Sequence, residues 1–248
     1  MNLRPTQYYF FSTLQAPPLQ YVPGDVSSRQ GCEDLAASVA SLTDNKLDTL
    51  INNAGAAWGE PLDRVSGRMN WGFDKILDLN LKGVFYLSRA CVPFLRRDGV
   101  SGYDSDKGTA GPSLNAGPFE DPGRIINIGS VVGLLPQNAP THAYDVSKAA
   151  VHHLTKKLSA DWAPLGITVN AIAPGFVPSK MSAQLGTYAT FDDIAKNTPL
   201  RRLGCEDDMA GASIYFSSKA GAWTTGVVLN VDGGIVGSRL IDLGDEDA

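Results

Sequence analysis

The sequence predicts an α/β fold, a parallel sheet covered by helices. Short apolar, strand-like runs alternate with longer segments of helical apolar spacing, and each run ends in a glycine-containing turn. The 248 residues, 43% of them hydrophobic, are enough to bury one large core. A single domain over 1–248 is therefore expected.

The elements follow in order. Residues 19–22 read as a first short strand, closed by Pro23-Gly24-Asp25-Val26-Ser27-Ser28, and residues 32–42 as the first helix. The next strand, 46–52, brings Leu47, Leu50 and Ile51 into Asn52-Asn53-Ala54-Gly55, where Gly55 permits a tight turn and close approach of backbone to a ligand. A helix is predicted over 70–97. Its apolar residues Phe73, Ile76, Leu77, Leu81, Val84, Phe85, Leu87 and Ala90 cover more than one face, which implies burial against the sheet or a second subunit. Residues 98–123 are rich in Gly, Ser, Asp and Pro and are expected to form a flexible surface loop. Because that loop leads from a helix into a strand, it belongs at the N-terminal edge of the sheet, away from the edge where ligands bind, so it is not expected to be a substrate lid. Strand 124–130, helix 143–165, strand 167–173, helix 207–216 and strand 227–231 complete the alternation before Asp232-Gly233-Gly234, and 239–248 reads as an acidic tail.

Composition narrows the function. A net charge of −5 without a long basic run argues against a nucleic-acid partner. Cys32, Cys91 and Cys205 are odd in number and far apart, and His142, His152 and His153 form no ligand constellation. No metal site is expected, and the cysteines read as reduced thiols of a cytoplasmic protein. The start, with its short run Tyr8-Tyr9-Phe10-Phe11, is too short and polar for a signal peptide or membrane span.

The chemistry concentrates at Tyr144-Asp145-Val146-Ser147-Lys148, fourteen residues after Ser130. Residues four apart share a helix face, so Tyr144 and Lys148 point the same way. An ammonium group beside a phenol favours the phenolate, which lets Tyr144 exchange protons with an alcohol or carbonyl near neutrality. Ser130 is placed to hold the reacting oxygen.

Together with Asn52-Asn53-Ala54-Gly55, Asp78-Leu79-Asn80-Leu81-Lys82-Gly83 and Ala173-Pro174-Gly175-Phe176-Val177, these residues resemble the short-chain dehydrogenase/reductase family. The resemblance runs from about residue 19 to 234, and Ala149-Ala150-Val151-His152-His153-Leu154-Thr155 is most similar to the β-ketoacyl reductases, including the rhamnolipid-pathway type. It implies a Rossmann-like, doubly wound parallel sheet and hydride transfer between NAD(P)H and a ketone or secondary alcohol. NADPH-dependent, 3-oxoacyl-like reduction is favoured, with NAD(H) as the other possible cofactor. It also implies a homo-dimer or homo-tetramer formed through long helices. By resemblance Asn80, Ser130, Tyr144 and Lys148 are the catalytic set, with Asn80 bending its helix and holding a water that relays protons to the lysine. The other reading of Asn80 is a polar helix residue bonded to a backbone carbonyl. Asp25 matches the adenine contact or else caps the adjoining turn, Asn53 lies near the adenosine ribose, and Tyr144 and Lys148 bond the nicotinamide ribose. Val177 and Ser179 reach the carboxamide. Met181, Leu185, Tyr188 and Phe191 within 178–201, and Trp58, are candidate walls for the substrate.

The family's first strand, T-G-x-x-x-G-x-G turn and first helix have no counterpart in the sequence, so the fold is expected to be N-terminally truncated, with an atypical segment over 1–18. In the family's strand order, 3-2-1-4-5-6-7, that opens a gap between 19–22 and 46–52. Either residues 8–14 fill it or the flanking strands close up. Losing two or three charge-assisted hydrogen bonds, each worth ~1.5 to 3 kcal/mol, weakens cofactor binding roughly a hundredfold to a millionfold. The alternatives to an active enzyme are a catalytically impaired binding or assembly protein, or a shortened gene model of an active enzyme.

Overall fold

The computed structural model describes residues 19–63, 71–97, 103–104, 109–110, 119–179, 181–182 and 189–238. Four parallel strands, β1 (Thr49–Asn52), β4 (Gly123–Ile128), β5 (Ile167–Pro174) and β6 (Val228–Val231), lie side by side in chain order. This is the 4-5-6-7 half of the order implied by the resemblance. β4 and β5 are central and buried almost throughout, which suits their runs of Ile, Val and Ala.

Residues 19–22 correct the expectation of a first strand. They form no strand and pair with none of the strands among the described residues, and Leu19 and Tyr21 are 104% and 89% exposed. A strand is defined by its neighbour, and among the described residues β1 pairs with β4 alone. The flanking strands therefore do not close up. The alternative in which 8–14 fills the gap lies outside the described residues.

Helix α1 (Arg29–Leu42) starts three residues before the predicted position because the Ser28 hydroxyl accepts from the Gly31 N–H as N-cap. The single helix predicted over 70–97 is three pieces: α2 (Trp71–Leu77), a π-helical turn (Asp78–Gly83) and α3 (Val84–Leu95). At the π-turn Asn80 is buried. Its Oδ1 accepts from the Ala56 N–H at 2.9 Å and its Nδ2 donates to the Ala56 carbonyl at 2.9 Å. Such single turns of wider helix commonly mark functional sites. Within 98–123, read as a loop, β2 (Tyr103–Asp104) and β3 (Thr109–Ala110) form a short antiparallel pair.

Helix α4 (His142–Trp162) packs on β5 with Val151, Thr155, Leu158 and Trp162 buried at three- and four-residue steps. The chain leaves it through Gly166 at φ +68°, where a β-carbon would sit 2.7 Å from the Phe119 ring. One core lies between the sheet and α3 and α4, around Leu95, Ile125, Leu165, Ile167 and Val169. The other lies under α6 (Glu206–Ser217), where Phe216 packs with Ile126 and Ile172. A short helix, α5 (Phe191–Asn197), precedes α6.

Layers and strands are also tied by a buried amide chain. Asn52 Nδ2 donates to Ser88 Oγ on α3 (2.9 Å) and to Asn127 Oδ1 on β4 (2.8 Å), and Asn127 Nδ2 donates to Thr155 Oγ1 on α4 (2.9 Å). Cutting it leaves buried polar groups unpaired, so Asn127→Ala is expected to cost about 2 kcal/mol of stability, read as a lower urea midpoint at constant m-value.

Candidate active site

The C-terminal ends of β1, β4 and β5 open onto a cavity of about 850 Å³, whose wall includes Asn53, Ser130, Tyr144, Lys148, Val177 and Ser179. These come from four separate sequence segments. The motifs meet because each sits just past a strand end or on the first turns of α4. Asp25 and Asn80 do not line the cavity. The Asp25 carboxylate accepts from the Ser27 N–H (2.9 Å) and hydroxyl (2.7 Å) in the turn that leads to the cap of α1. Asn80 stands behind the Asn53-Ala54-Gly55-Ala56 turn and also donates to Ser147 Oγ at 3.1 Å.

Lys148 is buried, its Nζ donates to the Ile128 carbonyl at 2.7 Å, and it lies 5.6 Å from the centre of the Tyr144 ring. Burial pulls its pKa down to about 8. Tyr144 departs from the expectation of an ammonium-stabilised phenolate. Burial pushes its phenol above the ordinary value of 10, a hydrogen bond with Ser130 works against that, and the Asp145 charge adds to it. Desolvation is the largest of these causes, and the Lys148 ammonium donates to the Ile128 carbonyl. In this state Tyr144 is a phenol, able to donate a proton.

The remaining predicted residues divide. Trp58 lines the cavity and seats on α2, where a β-carbon at Gly72 would fall 2.3 Å from its ring. Met181 lines the cavity, while Phe191 does not. Leu185 and Tyr188 lie outside the described residues. Ser179 and Ser182 close a local turn, with the Ser179 N–H donating to Ser182 Oγ (2.7 Å) and the Ser182 N–H to Ser179 Oγ (3.1 Å).

Sequence reasoning missed Gln137 and Thr141, which line the cavity and are held by Asp145. Gln137 Nε2 donates to Thr141 Oγ1 (2.7 Å) and Asp145 Oδ1 (3.2 Å), and Thr141 Oγ1 donates to the same carboxylate oxygen (2.9 Å). The signal was present as Thr141 and Asp145 four apart at the start of a helix.

A β-carbon on Gly175 would strike Asp232 at 2.8 Å, while one on Gly55 would meet Asn80 Oδ1 and Lys148 Nζ at ordinary contact distances of 3.4 Å and 3.7 Å. A cavity of this size, with an amide, hydroxyls, an ammonium and glycine backbone on its wall, suits a polar, ring-bearing cofactor fragment beside a small substrate.

The family model described as Enoyl-(Acyl carrier protein) reductase matches residues 109–236, and that described as short chain dehydrogenase matches 11–103. The rhamnolipids biosynthesis 3-oxoacyl-[acyl-carrier-protein] reductase of Pseudomonas aeruginosa is 34% identical over 216 residues, covering 87% of this chain and 76% of the relative. Galactitol 2-dehydrogenase of Rhizobium johnstonii is 34% identical over 218 residues, covering 85% and 73%. Among solved structures, the Pseudomonas aeruginosa RhlG/NADP active-site complex superposes with a TM-score of 0.72 at 33% identity, covering 87% of this chain and 76% of that one. A Burkholderia cenocepacia gluconate 5-dehydrogenase in complex with NADP and tartrate gives 0.69 at 30% identity, covering 87% and 74%. The chain thus spans about three quarters of the length of these relatives.

Proposed function

Because the chain belongs to the short-chain dehydrogenase/reductase family, we propose that it is an oxidoreductase working between NADP(H) and a ketone or secondary alcohol, with 3-oxoacyl-like reduction favoured. The observation that carries this reading is the convergence of Ser130, Tyr144 and Lys148 on one cavity at the strand ends. When bound there, NADPH supplies the hydride.

The chain's own residues supply the rest. Tyr144 donates the proton that the reduced oxygen needs, and Ser130 holds that oxygen by a hydrogen bond. Lys148 orients the nicotinamide ribose together with Tyr144, and its charge stabilises the phenolate that Tyr144 becomes as it gives up its proton. Asn80 is the proposed holder of a water from which protons reach the lysine. Asn53, Val177 and Ser179 are the proposed contacts to the rest of the cofactor, with Asp25 at the adenine. A single domain, assembly into a homo-dimer or homo-tetramer through α3 and α4, and a cytoplasmic setting complete the proposal. Among the described residues no helix is long and apolar enough to cross a membrane.

Trp58 on the cavity wall gives a direct readout. Titration with NADPH is expected to change tryptophan fluorescence saturably below millimolar cofactor. The titrated protein is expected to oxidise NADPH in the presence of a β-keto ester. No saturable change at millimolar NADPH, or no turnover of any ketone at saturation, refutes the enzyme reading and favours a binding or assembly role.

A further inference from the structure

His152 is a buried ionisable side chain that the proposed chemistry does not use. It is 4% exposed, one helical turn beyond Lys148 on the inner face of α4. Its Nε2 accepts the backbone N–H of Ser130 at 3.4 Å. Its Nδ1 is buried and makes no hydrogen bond among the described residues.

The surroundings are shaped to the ring. A β-carbon on Gly129 would fall 2.2 Å from His152 Nε2, and one on Gly133 would fall 2.9 Å from its Cε1. Two glycines that flank Ser130 thus admit an imidazole directly beneath the turn that presents the Ser130 hydroxyl. Ser130 itself caps that turn, its Oγ accepting from the Val132 N–H. The charges acting on the ring are those of Lys148 and Lys156 on its own helix, while Gly129, Ser130 and Gly133 facing it carry none. With burial as the larger cause, they push its pKa down to about 4. A protonated ring would turn Nε2 from acceptor into a donor aimed at another N–H, beside two cations.

We propose that His152 is a positioning residue for Ser130: its neutral imidazole, carrying its proton on Nδ1, accepts the Ser130 N–H at Nε2 and fixes the turn that aims the Ser130 hydroxyl into the cavity. This rests on the proposed role of Ser130 at the reacting oxygen. It makes Gly129, His152 and Ser130 one unit, in which the helix that carries Tyr144 and Lys148 also sets the register of Ser130.

Three measurements test it in the full chain. In ¹⁵N spectra His152 Nε2 is expected to be unprotonated and Nδ1 protonated throughout pH 5 to 8. An Nε2-protonated ring, or ordinary titration near 6.5, overturns the proposal. His152→Leu, which removes the acceptor, is expected to lower kcat about tenfold with little change in KM for NADPH. His152→Gln, whose side-chain amide can place its oxygen near the position of Nε2, should recover most of that loss. Equal losses in the two variants, or no loss in either, refute the positioning role. The Ser130 amide should also exchange faster in His152→Leu than in His152→Gln, a difference that does not depend on catalysis. If the parent reduces no ketone, the functional reading fails, while the tautomer and the Ser130 exchange rates still decide the His152 inference.

Discussion

Tyr144→Phe is expected to lower kcat for ketone reduction a hundredfold to ten-thousandfold, roughly the range that a positioned general acid contributes. The substitution removes one oxygen from a side chain whose ring is otherwise packed in place, so the fold should persist. NADPH affinity should fall by no more than one ribose hydrogen bond, about tenfold. The direction of the phenol's pKa shift sharpens this expectation. Reduction needs Tyr144 as an acid, and burial holds it in that form through the physiological range. The reverse reaction, alcohol oxidation, needs the phenolate and should gain relative to reduction as pH rises toward 10. A phenylalanine variant within threefold of the parent on a ketone that the parent reduces would remove Tyr144 from the mechanism, whatever the fate of the family assignment.

The site was more legible in the sequence than its supports. The resemblance of their motifs to the family put Asn53, Ser130, Tyr144 and Lys148 together, and the chain pattern agrees with it, because each follows a strand-like run or opens the next helix and the ends of parallel strands share one edge. Residues 19–22 were misread for the complementary reason. Apolar and aromatic side chains at Leu19, Tyr21 and Val22 give a strand-like pattern, but a pattern says nothing of whether a partner strand is adjacent. The π-turn at Asp78–Gly83 was hidden for a related cause. It is imposed by Asn80 reaching the backbone of Ala56, a contact twenty-four residues away in sequence, while helical periodicity runs on through it. His152 read as an ordinary structural histidine because Gly129 and Gly133, which make room for it, lie about twenty residues upstream. Local signals pointed to the proposed reacting groups, while contacts between distant segments determine how those side chains are held.

Lys148 carries the second large effect, and here activity and stability are expected to move in opposite directions. Its ammonium is buried and donates to the Ile128 carbonyl, so the charged form is poorly solvated and its pKa falls to about 8. A lysine whose folded pKa lies below its unfolded value of 10.5 binds fewer protons folded than unfolded. The protein therefore pays the full burial cost below pH 8 and is relieved of it as pH rises toward 10.5. Lys148→Met removes the charge and keeps most of the stem. From a shift of this size the relief is on the order of 3 kcal/mol, offset by about 1 kcal/mol for the lost hydrogen bond. The variant should unfold at a higher urea concentration than the parent at pH 7, and the difference should shrink between pH 8 and 10.5. Activity should fall a hundredfold or more, because the charge that stabilises the Tyr144 phenolate as its proton leaves, and that orients the ribose, is gone. In the parent, kcat/KM should decline above about pH 8, where the free protein loses that charge while Tyr144 is still a phenol. A flat parent profile from pH 7 to 10, or a methionine variant less stable than the parent at neutral pH, would show that Lys148 is neither buried as a cation nor required as one.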